Sequence, residues 1–170
     1  MQAWPRHLII LQLIVLYQMA GVQKLATSWW PAGDFSAIYY VLENPIYARF
    51  DLDWGGALFP LTQAATIGTL LFEWLGPPLL LLAYWGRFTA DAPSRFFRWF
   101  NKLRFRDVFV IAGFGLHIGI EVLMDLGSFA IAMLAVYPVF FHPDELDAMA
   151  AWLRRRLGRA PPAEASPGSA

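Results

Sequence analysis

Three ionisable side chains recur at every fourth position within one apolar stretch of this sequence. His117, Glu121 and Asp125 have this spacing, which places them along one stripe of a helix. An imidazole beside carboxylates can hold a divalent metal ion or exchange protons. Glu73 and Lys24 lie in two other apolar stretches. A charged group inside a membrane costs roughly 2.5–3.5 kcal/mol on insertion scales, so all five residues are candidates for a functional site.

Lys24 follows the apolar residues 8–22 and precedes Trp29 and Trp30. A lysine removed from water gives up its proton more readily and can act as a base, whereas a nearby carboxylate keeps that proton in place. Near a helix end, the apolar stem of the side chain also lets the ammonium reach the lipid headgroups. The sequence alone leaves these possibilities open.

Several interpretations of these polar residues compete. Glu73 and the stripe from His117 to Asp125 would supply metal ligands, but known carboxylate-bridged bundles use paired Glu-x-x-His motifs, so the sequence favours no metal site. A structural network is the second interpretation, with Lys24 paired to Glu73, Glu121 or Asp125 and fixing the helix register. Acid–base chemistry with Lys24 as the base is the third. An ion or proton pathway is the weakest, because the acids cluster rather than extend across the bilayer.

Composition identifies the kind of protein that must position these residues. Of the 170 residues, 58% are hydrophobic and 15% are charged, against about 25% charged in soluble domains. Cysteine is absent, which excludes disulfides, thiolate metal sites and dithiol redox chemistry within this chain. We predict an all-α, polytopic membrane helical bundle with about four transmembrane or re-entrant segments.

The predicted membrane domain covers residues 1–145, with spans at about 7–25, 61–85, 107–126 and 129–141. Gly76-Pro77-Pro78 should kink the second span or split it into two half-helices. Residues 107–141 are too long for one crossing, so the chain should turn at Gly127-Ser128, and the fourth segment is short enough to re-enter. A cytoplasmic basic helix at 146–159 and a disordered tail at 160–170 complete the prediction.

Basic residues predict the orientation in a cell membrane. The connection at 86–106 is rich in Arg and Lys, whereas the connection at 26–60 has one Arg among several acids. By the positive-inside rule the former is cytoplasmic, and so are both termini of a multi-pass chain with four crossings. Residues 94–106 alternate aromatic and basic side chains, which favours anionic lipid as their partner and excludes nucleic acid beside a membrane.

Aromatic residues are concentrated in the predicted outer connection. Trp29 and Tyr39 are the candidates there for binding a cofactor, although the composition favours anchoring in the membrane interface over a binding role. Gly33 to Leu42 is predicted to form a short helix in the interface. The predicted pocket opens toward the outer face near Lys24, Glu73, His117 and Glu121.

An ordered series of motifs resembles a known family. The run Tyr17-Gln-Met-Ala-Gly-Val-Gln-Lys24-Leu25 precedes Trp29-Trp30, and Phe72-Glu73 precedes Gly76-Pro77. Leu116-His117 is followed about ten residues later by Gly127-Ser128-Phe129. Over residues 8–145 this series resembles the second half of the membrane domain of the vitamin K-dependent gamma-carboxylase family and its bacterial relatives, the HTTM domain proteins.

The resemblance implies a lyase or carboxylase-like membrane enzyme, with a reduced, vitamin K-like quinone as its cofactor. Lys24 falls on the catalytic base of the family, His117 on a histidine that gives polar support, and Glu73 completes the catalytic set. Trp29, Tyr39, Glu121 and Asp125 are the implied cofactor-binding residues.

Family members carry further spans upstream, so the resemblance implies either a fragment of a bacterial membrane protein or a minimal member that assembles with a second copy or with another membrane subunit. The alternative is a non-enzymatic small membrane partner. The DoxX-like four-helix proteins also place Gly-x-x-Lys-Leu at the end of a first helix, here Gly21 to Leu25. In that case Lys24 and the acidic residues form a structural network.

Overall fold

Every regular element in the described part of the chain is a helix. The computed structural model describes residues 4–50, 55–88 and 95–158, and its one β-bridge, between Ala48 and Met124, is isolated. The α-helices are α1 (Trp4–Val22), α2 (Ala37–Glu43), α3 (Phe59–Phe88), α4 (Arg95–Lys102), α5 (Phe105–Leu123), α6 (Phe129–Val136) and α7 (Pro143–Arg156). The predicted all-α class is therefore confirmed.

The chain divides into two compact units, Met1–Tyr137 and Pro138–Ala170. In the first unit, α3 is the central helix, since α1, α2 and α5 all pack against it, while α6 packs against α5. Phe72 of α3 stacks on Phe109 of α5, with ring centroids 4.7 Å apart. A helix that contacts three others can bring residues from distant parts of the sequence to one place.

Two helices of the described chain are long and apolar enough to cross a membrane, at Trp4–Val22 and Gly56–Tyr84. Their length and composition support a membrane location. α5 has 19 residues, as many as α1, but it carries Arg106, Asp107 and Glu121. α6 has only eight residues, and the apolar helical stretch that contains it ends at Phe140.

α3 continues through Pro77 and Pro78 as one helix of 30 residues. Each proline lacks the N–H that would bond the carbonyl four residues earlier, yet its fixed φ suits a helix. Pro77 is fully buried among its neighbours, and packing on three sides holds the helix together where these bonds are missing. The alternative of two half-helices is therefore wrong.

The predicted hinge at Gly127-Ser128 is confirmed. α5 ends at Leu123 and α6 begins at Phe129, and Gly127 between them has φ of 59°. This left-handed backbone conformation is accessible to glycine at little cost. The turn brings Phe129 against His117, with ring centroids 5.7 Å apart.

The remaining predicted elements also form helices, with shifted bounds. The interface helix expected at 33–42 is a 3₁₀ turn at Pro31–Gly33 followed by α2. The aromatic and basic segment forms α4, where Phe100 is buried. α7 begins before residue 146 because His142 and Glu145 form a capping box around its first turn. Residue 159 and the tail predicted at 160–170 lie outside the described residues.

Candidate functional site

Lys24 and Glu73 form an ion pair between the end of α1 and the middle of α3. Gly21, one turn before Lys24, lets the helices approach, since a Cβ there would lie 3.2 Å from the Glu73 backbone. The two side chains are 15% and 9% exposed, so both charges are largely removed from water. The Lys24 ammonium also donates to the Ala20 carbonyl at 3.3 Å.

Three tryptophans surround this ion pair. Trp29 presents its ring to the Lys24 ammonium, 4.7 Å from the ring centroid, a cation–π contact. Trp74 donates its indole N–H to the Gly21 carbonyl at 3.1 Å, and Trp30 donates to the Lys24 carbonyl at 2.9 Å. Carbonyls at a helix C-terminus lack partners within the helix, so these bonds secure the chain where it leaves α1.

A chain of hydrogen bonds runs through the hydroxyl of Tyr17. It lies 2.6 Å from His117 Nε2 and 2.8 Å from the Tyr137 hydroxyl. All three side chains are buried, at 3%, 2% and 0% exposure for Tyr17, His117 and Tyr137. The Tyr17 hydroxyl has one proton to donate. If it donates this proton to Tyr137, then His117 Nε2 must carry a proton and donate to Tyr17. If Tyr17 donates to His117 instead, Nε2 is the acceptor.

The other ring nitrogen of His117 has no hydrogen-bond partner among the described residues, although it is buried. An unsatisfied buried polar group costs about 1–3 kcal/mol. Because the direction of the Tyr17 bond decides which nitrogen carries the proton, Nδ1 can be either a donor or an acceptor. His117 can therefore bond a ligand atom of either kind.

Gly113 makes the hydrogen-bond chain sterically possible. A Cβ at this position of α5 would overlap the hydroxyl and ring of Tyr137. Two residues further along the same helix, a Cβ at Gly115 would meet nothing within 4 Å. The absence of a side chain at residue 113 is thus a packing requirement.

The ion pair and the histidine line one cavity of about 190 Å³ in the first unit. This volume exceeds the roughly 30 Å³ that one water occupies in the liquid. Besides Lys24, Glu73 and His117, the lining includes Tyr17 and Trp29 among mostly apolar side chains. A second cavity of about 340 Å³ between α3 and α5 shares part of this wall, and it is lined by small and apolar residues.

The structure brings together four of the seven predicted site residues and separates the others. Tyr39 lines a different cavity of about 260 Å³, and a hydrogen bond to Glu43 raises its pKa. Glu121 pairs with Arg49 at 3.4 Å, with the two side chains 30% and 37% exposed. Asp125 is exposed beyond the end of α5, and its backbone N–H donates to the Tyr47 carbonyl at 2.7 Å.

The expectation that the whole stripe faces the bundle is wrong, because positions four apart on a helix drift by about 40°. His117 lies in the core, whereas Glu121, one turn later, has already turned toward solvent and Arg49. Asp125 follows the last residue of α5, Leu123. Among the described residues, no three His, Asp or Glu side chains are grouped to hold a metal ion.

Sequence reasoning overlooked Tyr17 and Tyr137 as site residues. Each lies in an apolar stretch, and a buried tyrosine hydroxyl normally finds a hydrogen-bond partner. The expectation that a buried hydroxyl is hydrogen-bonded would have identified both tyrosines as residues with polar partners in the core. It would not have shown that they bond each other, because they are 120 positions apart.

No family model matches the chain, and no solved structure matches it.

Proposed function

We propose that this chain is an integral membrane protein that binds the polar head of a lipid-soluble, quinone-like molecule in the cavity beside Lys24. Four segments, α1, α3, α5 and α6 with the turn after it, lie in the membrane in this proposal. Both termini and the basic α4 lie on the cytoplasmic side, where α4 contacts anionic lipid. The orientation follows from the distribution of arginine and lysine in the connections.

The observation that carries the proposal is that three groups able to exchange protons line one largely apolar cavity. Glu73 and His117 come from α3 and α5, and Lys24 from the segment that directly follows α1. Small-molecule sites typically combine apolar walls with a few convergent polar groups. Intramembrane ionisable residues are functional candidates by default, since burying them has a cost that function must justify.

The residues fit the polar end of a quinone-like ligand. The Nδ1 of His117, which has no hydrogen-bond partner within the described part of the chain, can accept a hydrogen bond from a hydroxyl or donate one to a carbonyl. The ligand supplies a weakly acidic hydroxyl and two electrons when bound in its reduced form. Lys24 and Glu73 stand on the same cavity wall, so an ammonium and a carboxylate are both available to that hydroxyl.

The ion pair changes how Lys24 can serve as a base. An ion pair requires the proton to be on the lysine amine, so in this form the amine becomes a proton acceptor only after passing that proton to Glu73. Alternatively, Glu73 takes the proton directly while the ammonium supplies positive charge. Both routes leave the same products, a protonated lysine and a neutral glutamic acid. The two residues therefore act as one proton-accepting unit.

The resemblance of residues 8–145 to the gamma-carboxylase and HTTM families supports this proposal from the sequence side. Lys24 occupies the position of the catalytic base in that resemblance, and the cavity lies beside it. Membership in this family and a lyase or carboxylase-like reaction are parts of the proposal. A second copy or another membrane subunit would complete the site.

A second candidate function is that of a non-enzymatic membrane partner in which the ion pair is structural. The observation that favours it is the number of contacts to the Lys24 ammonium: the Glu73 carboxylate, the Ala20 carbonyl and the Trp29 ring. A cation held by three groups fixes the position of α1 against α3. In this case no ligand is required for the residues to be useful.

Equilibrium binding distinguishes the two candidates. The full chain in lipid nanodiscs is titrated with a reduced naphthoquinone under anaerobic conditions and with its dimethyl ether, which lacks the hydroxyl protons. We expect the hydroxyl form to bind more tightly to the wild type, and Glu73→Gln to remove this preference while the protein stays folded. Arginine keeps the positive charge but does not accept a proton, so Lys24→Arg should remove the preference only where the lysine amine is the proton acceptor. Arg49→Gln, which alters an ion pair away from the cavity, is the matched control and should keep the preference.

Absence of binding by the wild type would contradict the proposed function. An equal preference in wild type and Lys24→Arg would show that Glu73 takes the proton directly while residue 24 supplies positive charge. An equal preference in wild type and Glu73→Gln would show that the ion pair does not act on the hydroxyl. Loss of folding in Lys24→Arg, with no ligand bound by the wild type, would favour the structural role.

A further inference from the structure

α7 carries a row of apolar side chains that stay exposed among the residues described for its unit, 138–158. Leu146, Met149, Leu153 and Leu157 are 37%, 53%, 51% and 60% exposed, and α7 has no buried residue. Their spacing of three, four and four residues places them along one face of the helix. An apolar face of this kind on a helix normally contacts another apolar surface.

Charge is arranged along α7 rather than evenly around it. Asp144 and Glu145 lie in the first turn, whereas Arg154, Arg155 and Arg156 occupy the last. Acidic residues at the N-terminus and basic residues at the C-terminus both favour a helix through its dipole. The capping box stabilises the first turn. α7 is therefore a well-formed helix without support from a buried face.

An aromatic and a basic side chain meet at the basic end of α7. The guanidinium of Arg156 lies over the ring of Trp152, 5.6 Å from its centroid, and Trp152 is 54% exposed. Tryptophan favours the boundary between acyl chains and water, because its ring is apolar and its N–H is polar. Arginine binds phosphate groups with two parallel hydrogen bonds.

We propose that α7 lies in the headgroup layer of the membrane, with the apolar row facing the acyl chains and the three arginines bound to phosphates of anionic lipid. The inference depends on the membrane location in the proposed function but not on any ligand or reaction. At 100° per residue, Arg155 lies opposite Leu146, while Trp152 and Arg156 lie beside the edge of the apolar row. Such an order, with a leucine face, a tryptophan near its edge and basic residues beyond, is typical of a helix that lies in the membrane interface. The sequence predicted anionic lipid only for residues 94–106, which contain α4. Lipid binding by α7 is therefore a separate inference.

A second copy of α7 is the competing occupant. Antiparallel pairing would place the arginines of one copy beside the acids of the other. Four side chains on a 14-residue helix nevertheless cover much less than the roughly 800 Å² that each partner buries in a standard interface. A bilayer needs no such minimum area, so the short row fits lipid better.

Site-directed spin labelling tests this directly, because the chain contains no cysteine. Single variants Leu153→Cys, Ala148→Cys and Val15→Cys of the full chain are labelled and placed in nanodiscs of anionic or zwitterionic lipid. Ala148 lies about 140° around the helix from Leu153, at 100° per residue, and serves as the matched control. Val15 is an exposed residue of α1 that reports on the bilayer interior.

We expect the label at 153 to be reached by oxygen and protected from a water-soluble nickel chelate, and the label at 148 to behave in the opposite way. Each arginine near an anionic surface contributes about fivefold to binding. Replacing Arg154, Arg155 and Arg156 by Gln should therefore lower the bound-to-free ratio of α7 in anionic nanodiscs by up to about a hundredfold. The loss should be much smaller in zwitterionic nanodiscs.

Three results would overturn the inference. Equal nickel access at 153 and 148, with 15 still protected, would show that α7 lies in water while the membrane location holds. Spin–spin broadening at 153 that grows with the number of chains per nanodisc would identify a second copy as the occupant. If the label at 153 stayed equally protected from nickel in the triple Gln variant, anionic lipid would have no role in holding α7. Nickel access at residue 15 as well would instead show that the membrane location itself is wrong.

Discussion

The ion pair between Lys24 and Glu73 permits a quantitative test. The side chains are only 15% and 9% exposed, so replacing Lys24 by Met leaves the Glu73 carboxylate buried without its partner. Such a change costs about 3–5 kcal/mol in buried pairs. We expect about 3 kcal/mol, the lower end of this range, because the lysine keeps some contact with solvent. Glu73→Gln should cost a similar amount.

The double variant Lys24→Met, Glu73→Gln removes both charges and should lie within about 1 kcal/mol of the wild type. The two single costs together, less that of the double variant, put the coupling between the two positions at about 5 kcal/mol. Equilibrium unfolding in detergent and SDS measures these free energies. A loss of about 3 kcal/mol should also lower Tm by roughly 6–12 °C.

The exposed pair Arg49–Glu121 provides the matched control for this cycle. Its side chains are 37% and 30% exposed, and its N–O distance is 3.4 Å. Exposed pairs contribute about 0–1 kcal/mol and weaken with salt. A coupling for Lys24 and Glu73 as small as that of the control would refute the reasoning, since the buried pair would then contribute nothing beyond a surface contact.

Three further substitutions have clear expected outcomes in the same unfolding assay. Gly113→Ala should destabilise the protein by about 1–3 kcal/mol through overpacking against a buried tyrosine. Its control, Gly115→Ala on the same helix, should be neutral or stabilising. Equal effects of the two substitutions would show that the cost at residue 113 is not steric. Tyr17→Phe should cost about 2–3 kcal/mol, because it breaks two buried hydrogen bonds, and Tyr40→Phe, at an exposed position, should change stability by less than about 0.5 kcal/mol. Thr66→Val should cost about 1–2 kcal/mol, because the fully buried hydroxyl accepts a hydrogen bond from a backbone N–H of α2 at 3.2 Å. Unchanged stability would show that α2 does not need this bond.

Much of the helical architecture follows from local sequence. The apolar stretches predicted α1, α3, α5 and α6 to within a few residues, because the length and periodicity of a helix are local properties. The turn at Gly127 could be predicted for the same reason, since glycine is suited to a left-handed backbone. The predicted division of α3 into two half-helices was wrong, because the effect of its prolines depends on the packing that surrounds Pro77.

The candidate site was predictable in part. Lys24, Glu73 and His117 stood out because ionisable residues in apolar stretches are rare, and all three line one cavity. Glu121 and Asp125 shared the same signal, yet a helix rotation and the end of α5 direct them elsewhere.

Local sequence is sufficient to predict helices, the positions of the apolar segments and the charges within them. These properties depend on neighbouring residues and on transfer free energies. The pairing of Lys24 with Glu73, and the link that Tyr17 makes between His117 and Tyr137, are visible only in the folded chain. These contacts join residues 49 to 120 positions apart. They form because the helices pack closely at small residues such as Gly21 and Gly113, and such packing depends on the shapes of both surfaces at once.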